Sequence, residues 1–359
     1  MIKVLFELKQ EYYWTSFLPI INLIKRDKKF DVSIVVGKNE IRKYGFLLVP
    51  QKKRIEKHLI SKGYKITQKK DGFDVVICGD TPKNPLDYKN AILCNVDHGV
   101  SIKSQRYRKF KKFGIGNMVR FIEGDYREKK LKEYGFYDST KIFKVGMPKL
   151  DRLLDDSFDK HKILQKFQLN NTKKTILFAP SYKPTSIFDL TPKLSELKGY
   201  NIIIKLHPYS WSGKYVSHRQ HRFVENLAKN NNNITLIPKK DIDILPFLFV
   251  SDTLISEASS VMNEFLALGR CGIIFQKLGF HSDGKSVLEE DTSNWLKDSF
   301  IHINNPNQLE DAIKTALNPS EKRKKAIFSD RDKIYSFVDG KSAERVKNRI
   351  KKLIKEKRR

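Results

Sequence analysis

Cysteine is scarce in this 359-residue chain, and the three cysteines, Cys78, Cys94 and Cys271, lie far apart in the sequence. So few unclustered thiols argue against a disulfide framework and indicate a reducing compartment. Long hydrophobic runs are also lacking. The apolar stretch at residues 14–24 contains Pro19 and is shorter than the roughly 20 residues that a membrane-spanning helix needs.

An export signal is lacking as well, because MIKVLFELKQ turns polar at Glu7 before a hydrophobic segment of useful length has formed. We therefore expect a cytoplasmic protein. Acidic residues are outnumbered by basic ones, 41 against 70, which leaves a net charge of +29. Such a surplus attracts phosphates, whether they belong to nucleic acid, to anionic lipid or to a charged substrate.

Hydrophobic residues make up 40% of the chain, enough for ordered cores, and its length predicts two domains. Short apolar runs alternate with amphipathic stretches such as residues 14–25, 223–230 and 307–317. The runs are typical of strands buried on both faces of a parallel sheet. They form two series: IKVLFEL, VSIVVG, DVVICG, AILCNV, VRFIEG and KIFKVG, and then TILFAP, NIIIKLHP, NITLIP, DTLISE, GIIFQ and FIHI.

This alternation predicts an α/β protein with two doubly wound, Rossmann-like domains that face a cleft. We place the boundary near residue 160, giving domains at 1–160 and 161–359. In open α/β sheets ligands bind beyond the carboxyl ends of the strands. His98 and His207 each follow a strand in opposite halves of the chain, beside Gly99 and Pro208, so they are candidates to face each other across the cleft.

The junction LISEASSVMNEFLALG places Ser259 and Ser260 where a strand should give way to a helix. A helix start offers backbone N–H groups and a partial positive charge to a phosphate, and serine hydroxyls there can donate to the same oxygens. Capping of the helix is the alternative, but it explains one serine and not two. Glu264, one turn into the helix, is a candidate to accept hydrogen bonds from ribose hydroxyls.

Six motifs occur in order over residues 95–346: DHGVSIK, VGMPKLDRL, FAPSYKP, IKLHP, SDTLISEASSVMNEFLALGRCGIIF and DGKSAERV. Together they resemble the motif series of the CDP-glycerol glycerophosphotransferases, the primases and polymerases of teichoic acid and capsule synthesis. The resemblance covers about two-thirds of the chain. It implies a GT-B fold, with residues 1–160 on the acceptor side and 161–359 holding the nucleotide donor.

The resemblance also implies transfer of glycerol phosphate, or a related polyol phosphate, from a CDP-activated donor to a hydroxyl of a lipid-linked or polysaccharide acceptor. No further cofactor is implied and no metal ligand is assigned. It makes His98 the candidate base and His207 a catalytic residue near the donor diphosphate. The other implied site residues are Lys183, Glu257, Ser259, Ser260 and Glu264 for the donor, and Gly99 on the acceptor side. Ser181, for the donor, and Lys103, on the acceptor side, are further candidates because they follow predicted strands.

Three positions depart from the family pattern. The family usually has Asp at the position of Glu257, and often Arg where this chain has Lys149 and Lys183. Lysine keeps the charge but lacks the bidentate geometry of arginine toward phosphate. These departures keep phosphate chemistry plausible and leave the donor group open.

Two basic segments are candidates for contact with an anionic membrane, which would make the protein peripheral on the inner face of the cell membrane. One is residues 103–114, KSQRYRKFKKFG, for which contact with an acidic acceptor and a solvated loop are the alternatives. The other is the C-terminal stretch that carries Val346, Ile350, Leu353 and Ile354 on one helical face. For the latter, packing of the last helix back on the N-terminal domain is the alternative.

Two alternative functions remain. The first keeps the fold and changes the donor: a nucleotide-sugar glycosyltransferase or a UDP-sugar epimerase. The second is a basic nucleic-acid-binding protein, which the polar residues at strand ends and the lack of a known binding motif disfavour.

Overall fold

The structure is a computed structural model that describes residues 1–43, 46–80, 82, 84–100, 118–135, 142–212, 216–257, 259–277 and 294–359. The described strands form two six-stranded parallel sheets and a separate antiparallel hairpin. The strands are β1 (Ile2–Leu8), β2 (Phe30–Val36), β3 (Glu40–Lys43), β4 (Leu47–Pro50), β5 (Val75–Cys78), β6 (Ile92–Val96), β7 (Val119–Ile122), β8 (Ile142–Lys144), β9 (Thr175–Phe178), β10 (Asn201–Ile204), β11 (Ile234–Leu236), β12 (Thr253–Ser256), β13 (Ile273–Phe275) and β14 (Ile301–Ile303).

Helices separate most of these strands along the chain. They are α1 (Trp14–Lys25), α2 (Lys52–Ser61), α3 (Asp125–Glu133), α4 (Pro148–Leu154), α5 (Lys160–Lys166), α6 (Ile187–Glu196), α7 (Pro208–Ser212), α8 (Arg219–Lys229), α9 (Leu245–Val250), α10 (Val261–Ala267), α11 (Leu309–Leu317), α12 (Glu321–Ile334) and α13 (Ser342–Lys357). Short 3₁₀ turns lie at Glu11–Tyr13, Pro85–Tyr88 and Pro306–Gln308.

The strand order places a ligand crevice in each sheet. The first sheet runs β2-β1-β5-β6-β7-β8 and the second β11-β10-β9-β12-β13-β14, and the strand pairs within both are parallel. The order therefore reverses between β1 and β5 and between β9 and β12, the places where open α/β sheets bind ligands. The predicted α/β class with parallel sheets is confirmed. Each strand predicted from an apolar run is present.

The last helix belongs to the core of the first sheet. The side chains of Val346, Ile350, Leu353 and Ile354 are buried in one cluster with residues of β1, α1 and β2. Lys347 and Lys351 form ion pairs with Asp27 at 3.1 and 2.8 Å. The apolar face of α13 is therefore covered by protein, as the packing alternative expects, and it is not available to a membrane in the folded chain.

Two predicted motifs meet where α13 begins. The Asp151 carboxylate, from VGMPKLDRL, accepts hydrogen bonds from the backbone N–H groups of Ser342 and Ala343, from DGKSAERV, at 3.1 and 2.7 Å. Gly146 has φ +82°, and a Cβ there would lie 2.6 Å from the Ser342 hydroxyl. A side chain at residue 146 would thus be both strained and crowded. These two motifs join α4 to α13.

Within the described part of the chain, no helix has the length and apolar character needed to cross a bilayer. Residues 103–114 lie outside the described residues, and their contact with a membrane stays a prediction. The domain boundary near residue 160 stays a prediction as well.

Candidate active site

Glu257 organises the crevice of the second sheet. It follows β12 and is fully buried. Its carboxylate accepts hydrogen bonds from the backbone N–H groups of Ser181 and Ser186, at 2.6 and 2.5 Å, and from the Ser186 hydroxyl. These donors belong to the loop that follows β9. Glu257 therefore ties together the two loops on either side of the point where the strand order reverses.

The loop held by Glu257 presents Lys183 to solvent. Ser181 is buried and Lys183 is exposed, and the Lys183–Pro184 peptide bond is cis. The Ser181 hydroxyl lies 3.5 Å from the carbonyl oxygen of Lys183. Lys183 thus lies exposed at the edge of the crevice, while Ser181 makes hydrogen bonds that stabilise the loop from inside. Direct contact of Ser181 or Glu257 with a donor stays a prediction.

Ser259 and Ser260 lie together at the start of α10, and both are half-buried. The Ser259 hydroxyl accepts from the N–H of Val261 at 3.4 Å, and Ser260 makes no capping hydrogen bond with its side chain. The N–H groups of Met262 and Asn263 already donate to backbone carbonyls within the turn. The Ser259 hydroxyl, more than the backbone N–H groups of this turn, is thus left to donate to a phosphate.

Glu264 forms a buried ion pair beneath these serines. Glu264 is 1% exposed, and its carboxylate lies 2.7 Å from the ammonium of Lys149. Burial raises the pKa of Glu264, and the Lys149 charge and the Ser260 hydroxyl oppose the shift. An ammonium meets a single carboxylate oxygen here, so lysine suffices where the family often has arginine. In this arrangement Glu264 orients Ser260, and its predicted contact with ribose stays untested.

Gly99 brings the first half of the chain against the serine pair. A Cβ at Gly99 would lie 2.6 Å from the Ser260 hydroxyl and 3.3 Å from a Glu264 carboxylate oxygen. The amide of Asn263 donates to the carbonyl of Val100 at 2.9 Å. The glycine after His98 is therefore required by close contact between the two halves.

The loop that carries His98 is fixed from behind by Arg127, a residue that the sequence did not point to. Its guanidinium is buried and lies 3.0 Å from Glu123 and 3.4 Å from Asp97. It also donates to the carbonyl oxygen of Gly99 at 3.3 Å. A buried cation with these partners holds the residues on both sides of His98.

The two histidines meet at one tyrosine. The Tyr12 ring, just after β1, lies 5.3 Å from the His98 ring and 6.1 Å from the His207 ring. His98 also stacks on Tyr13 at 4.4 Å. Tyr209 hydrogen-bonds the Tyr12 hydroxyl, and burial raises the pKa of Tyr12 well above its usual value, so this phenol stays neutral. Side chains from both halves thus form a single aromatic cluster.

In the neutral form of the two imidazoles, hydrogen bonds favour different tautomers. His98 Nδ1 lies 3.4 Å from the carbonyl oxygen of Gly79, which only accepts, so Nδ1 carries the proton and Nε2 the lone pair. His207 Nδ1 accepts from the N–H of Tyr209 at 3.1 Å, so its proton is on Nε2. His98 is arranged to accept a proton, and His207 to donate a hydrogen bond.

Lys205 is a second residue that the sequence did not single out. It follows β10, two positions before His207, and is 5% exposed. Among the described residues its ammonium has no hydrogen-bond or ion-pair partner. Burial lowers the pKa of Lys205 to about 8, with Asp243 and Asp241 opposing the shift. A buried, unpartnered cation is costly, and an anionic ligand would relieve that cost.

The described residues contain no group of three or more His, Cys, Asp or Glu side chains that could hold a metal ion. Lys103, predicted on the acceptor side, lies outside the described residues. The site as described therefore consists of cations, hydroxyls and two histidines around a crevice that both halves line.

Comparison with known proteins fits this chemistry. A family model for CDP-glycerol:poly(glycerophosphate) glycerophosphotransferase matches residues 125–352, more than half of the chain. The solved wall teichoic acid polymerase TagF is 17% identical, with a TM-score of 0.68 over 99% of this chain and 90% of that chain. A TagF variant soaked with CDPG is also 17% identical, with a TM-score of 0.68 over 100% of this chain and 90% of that chain.

The UDP-GlcNAc 2-epimerase from Neisseria meningitidis, bound to UDP-GlcNAc, is 12% identical, with a TM-score of 0.61 over 98% of this chain and 100% of that chain. No curated protein matches the sequence. At these identities the structural likeness shows the fold alone, and it confirms the predicted GT-B fold.

Proposed function

The chain belongs to the CDP-glycerol:poly(glycerophosphate) glycerophosphotransferase family, and from this membership we propose how its site carries out transfer. It is a CDP-glycerol-dependent transferase. The acceptor we propose is a hydroxyl of a lipid-linked or polysaccharide chain in cell-wall or capsule polymer synthesis. The family match and the likeness to a teichoic acid polymerase solved with CDPG support this assignment.

His98 acts as the general base. The acceptor hydroxyl gives its proton to Nε2 of His98 as its oxygen attacks the phosphorus that bears glycerol. The bond from that phosphorus to the bridging oxygen breaks, and CMP leaves with the electron pair. A histidine whose neutral form carries its lone pair on Nε2 suits this step at neutral pH. The tautomer set by the Gly79 carbonyl is the observation that carries this assignment.

The diphosphate lies among donors from the second half. His207 Nε2–H, the Lys183 and Lys205 ammonium groups and the Ser259 hydroxyl surround it, and Ser260, whose hydroxyl donates to Glu264, lies beside them. They stabilise the charge that develops on the leaving CMP oxygen. Gly99 lets the His98 loop approach the serine pair, so base and phosphate site come within reach of one substrate.

Substitution of His98 tests the role of the base. His98→Ala should abolish turnover with CDP-glycerol while donor affinity, measured by calorimetry, changes less than threefold. His161→Ala, at an exposed histidine on α5, is the matched control and should leave both unchanged. Lost donor binding with residual turnover would refute the assignment.

The donor group is tested by binding. A thermal-shift screen across CDP-glycerol, CDP-ribitol, CMP, UDP and UDP-sugars should give the largest stabilisation with a CDP-polyol, because ligands that bind the native state raise its melting temperature. A larger shift with a UDP-sugar would favour the glycosyltransferase or epimerase alternative, whose fold is shared.

A further inference from the structure

The hairpin of β3 and β4 exposes apolar side chains in an otherwise charged region. It pairs with neither six-stranded sheet. Phe46 is 78% exposed, Leu47 48% and Leu48 44%. We call residues 46–48 the apolar tip. Three adjacent, exposed, large hydrophobic side chains are unfavourable in water and mark a surface that contacts something apolar.

Exposed cations follow the apolar tip closely in the chain, on α2, which begins two residues after β4. Lys53 and Lys57 lie one turn apart on its outer face and are exposed, and Lys62 follows the helix. In the described part of the chain, no carboxylate pairs with these three lysines. We call Lys53, Lys57 and Lys62 the basic face. Apolar side chains beside unpaired cations are complementary to an anionic bilayer surface.

The hairpin also lies beside the candidate active site. Strand β3 contacts α7, the helix that begins directly after His207. The carbonyl oxygen of Arg42 in β3 lies 3.2 Å from Nε2 of His218, just before α8. A surface that held the apolar tip would therefore lie next to the cleft that receives the acceptor.

We propose that the apolar tip and the basic face of α2 dock on an anionic lipid bilayer. The tip inserts among the lipid headgroups and the lysines contact lipid phosphates. This deepens the proposed function, since a lipid-linked acceptor would then reach the cleft from the same surface. The apolar face of the C-terminal helix α13 is buried in the core and therefore cannot contact a bilayer.

Co-sedimentation with vesicles of phosphatidylglycerol and phosphatidylcholine, free of acceptor, tests the proposal with the full chain. The triple variant Phe46→Ser, Leu47→Ser, Leu48→Ser should bind at least about tenfold more weakly, because these side chains supply the apolar contact. Lys53→Glu with Lys57→Glu should lose at least about 25-fold, since each cation near an anionic surface is worth about fivefold and the introduced carboxylates are repelled. Wild-type binding should weaken as salt is raised and with phosphatidylcholine alone.

Matched controls lie in the second half of the chain. Phe188→Ser removes a hydrophobic side chain of similar exposure to Leu47, and Lys322→Glu with Lys325→Glu reverses two exposed lysines on α12. Both should bind vesicles like the wild type. Circular dichroism and thermal melting of each variant establish that it is folded.

Three outcomes would overturn the proposal: no wild-type binding to anionic vesicles at low salt, equal losses in the controls, or a dimer that dissociates in the triple variant. The last, seen by light scattering, would assign the tip to a second copy of the chain. Transfer to a water-soluble acceptor analogue separates this proposal from the proposed function. The triple variant should keep that activity, and a wild-type enzyme without it would count against the function and not against docking.

Discussion

The carboxylate of Glu257 gives the sharpest prediction on the site. Glu257→Gln keeps the volume of the side chain but turns one of its two acceptor oxygens into a donor group. Because one oxygen accepts from the N–H of Ser181 and the other from the N–H of Ser186, one of these N–H groups must lose its acceptor. The loop that carries Lys183 would then lose one of its two anchors.

The magnitude follows from the burial of this group. A hydrogen bond to a charged partner contributes about 1.5–3 kcal/mol, and an unsatisfied buried donor costs about 1–3 kcal/mol. Removing the charge also removes its own desolvation cost, which offsets part of the loss. We therefore expect the free energy of unfolding to fall by about 2–4 kcal/mol. The affinity for CDP-glycerol should fall as well, because Lys183 is no longer held at the crevice.

Urea unfolding followed by tryptophan fluorescence measures the first quantity, and calorimetry with CDP-glycerol the second. Glu310→Gln, which removes a largely exposed carboxylate beside Lys314, is the matched control and should stay within about 0.5 kcal/mol of the wild type. Glu257→Asp keeps the charge and should lose less than the glutamine variant. A glutamine variant as stable as the control would refute the role given to Glu257.

Three further predictions concern lysine and aspartate side chains. Because the pKa of Lys205 is lowered to about 8, the affinity for CDP-glycerol, measured by calorimetry, should fall as the pH rises from 7 to 9. Lys205→Arg should make the affinity less dependent on pH. A wild-type affinity that does not change with pH would contradict this role of Lys205. Asp151→Ala removes the acceptor of the buried N–H groups at the start of α13, so it should lower the free energy of unfolding, measured in urea, by about 2–4 kcal/mol. An unchanged free energy of unfolding would contradict this role of Asp151. The Arg345 guanidinium lowers the pKa of Asp339 to about 2, so its contribution is present above about pH 4 and is lost as pH falls through 2. Asp339→Asn should thus melt with a weaker acid dependence than the wild type; an identical acid profile would argue against it.

The sheets could be predicted from sequence because their strands are buried on both faces. The sequences of buried parallel strands are continuous runs of Val, Ile, Leu and Phe, and such runs predicted β1 and β10 correctly. The hairpin of β3 and β4 was missed, because its four-residue strands are mixed in polarity and most side chains of β4 stay exposed.

The site was predictable only in part. His98 and His207 were found because polar residues after a strand are informative, whatever their partners. Lys205 and Arg127 gave no such signal, since their importance comes from burial among groups distant in sequence. Lys149 and Glu264 show the same difficulty, because 115 positions separate the two members of their ion pair. Likewise, the bonds within the first turn of α10 depend on local geometry that a pair of serines does not reveal.

The bond between Asp151 and the first residues of α13 has a consequence for motion. The polypeptide passes from the first sheet to the second near Asp151 and returns near Ser342, and these two passages are fastened to each other. Because the two linkers are joined side by side, they oppose sliding of one half of the chain past the other. They allow chiefly a rotation of the two halves about the axis through both linkers. Substrate entry should therefore open the cleft by a hinge rotation of the two halves about this pair of linkers. The aromatic contacts of Tyr12 with His207 and Tyr209, which join the two halves, should then separate.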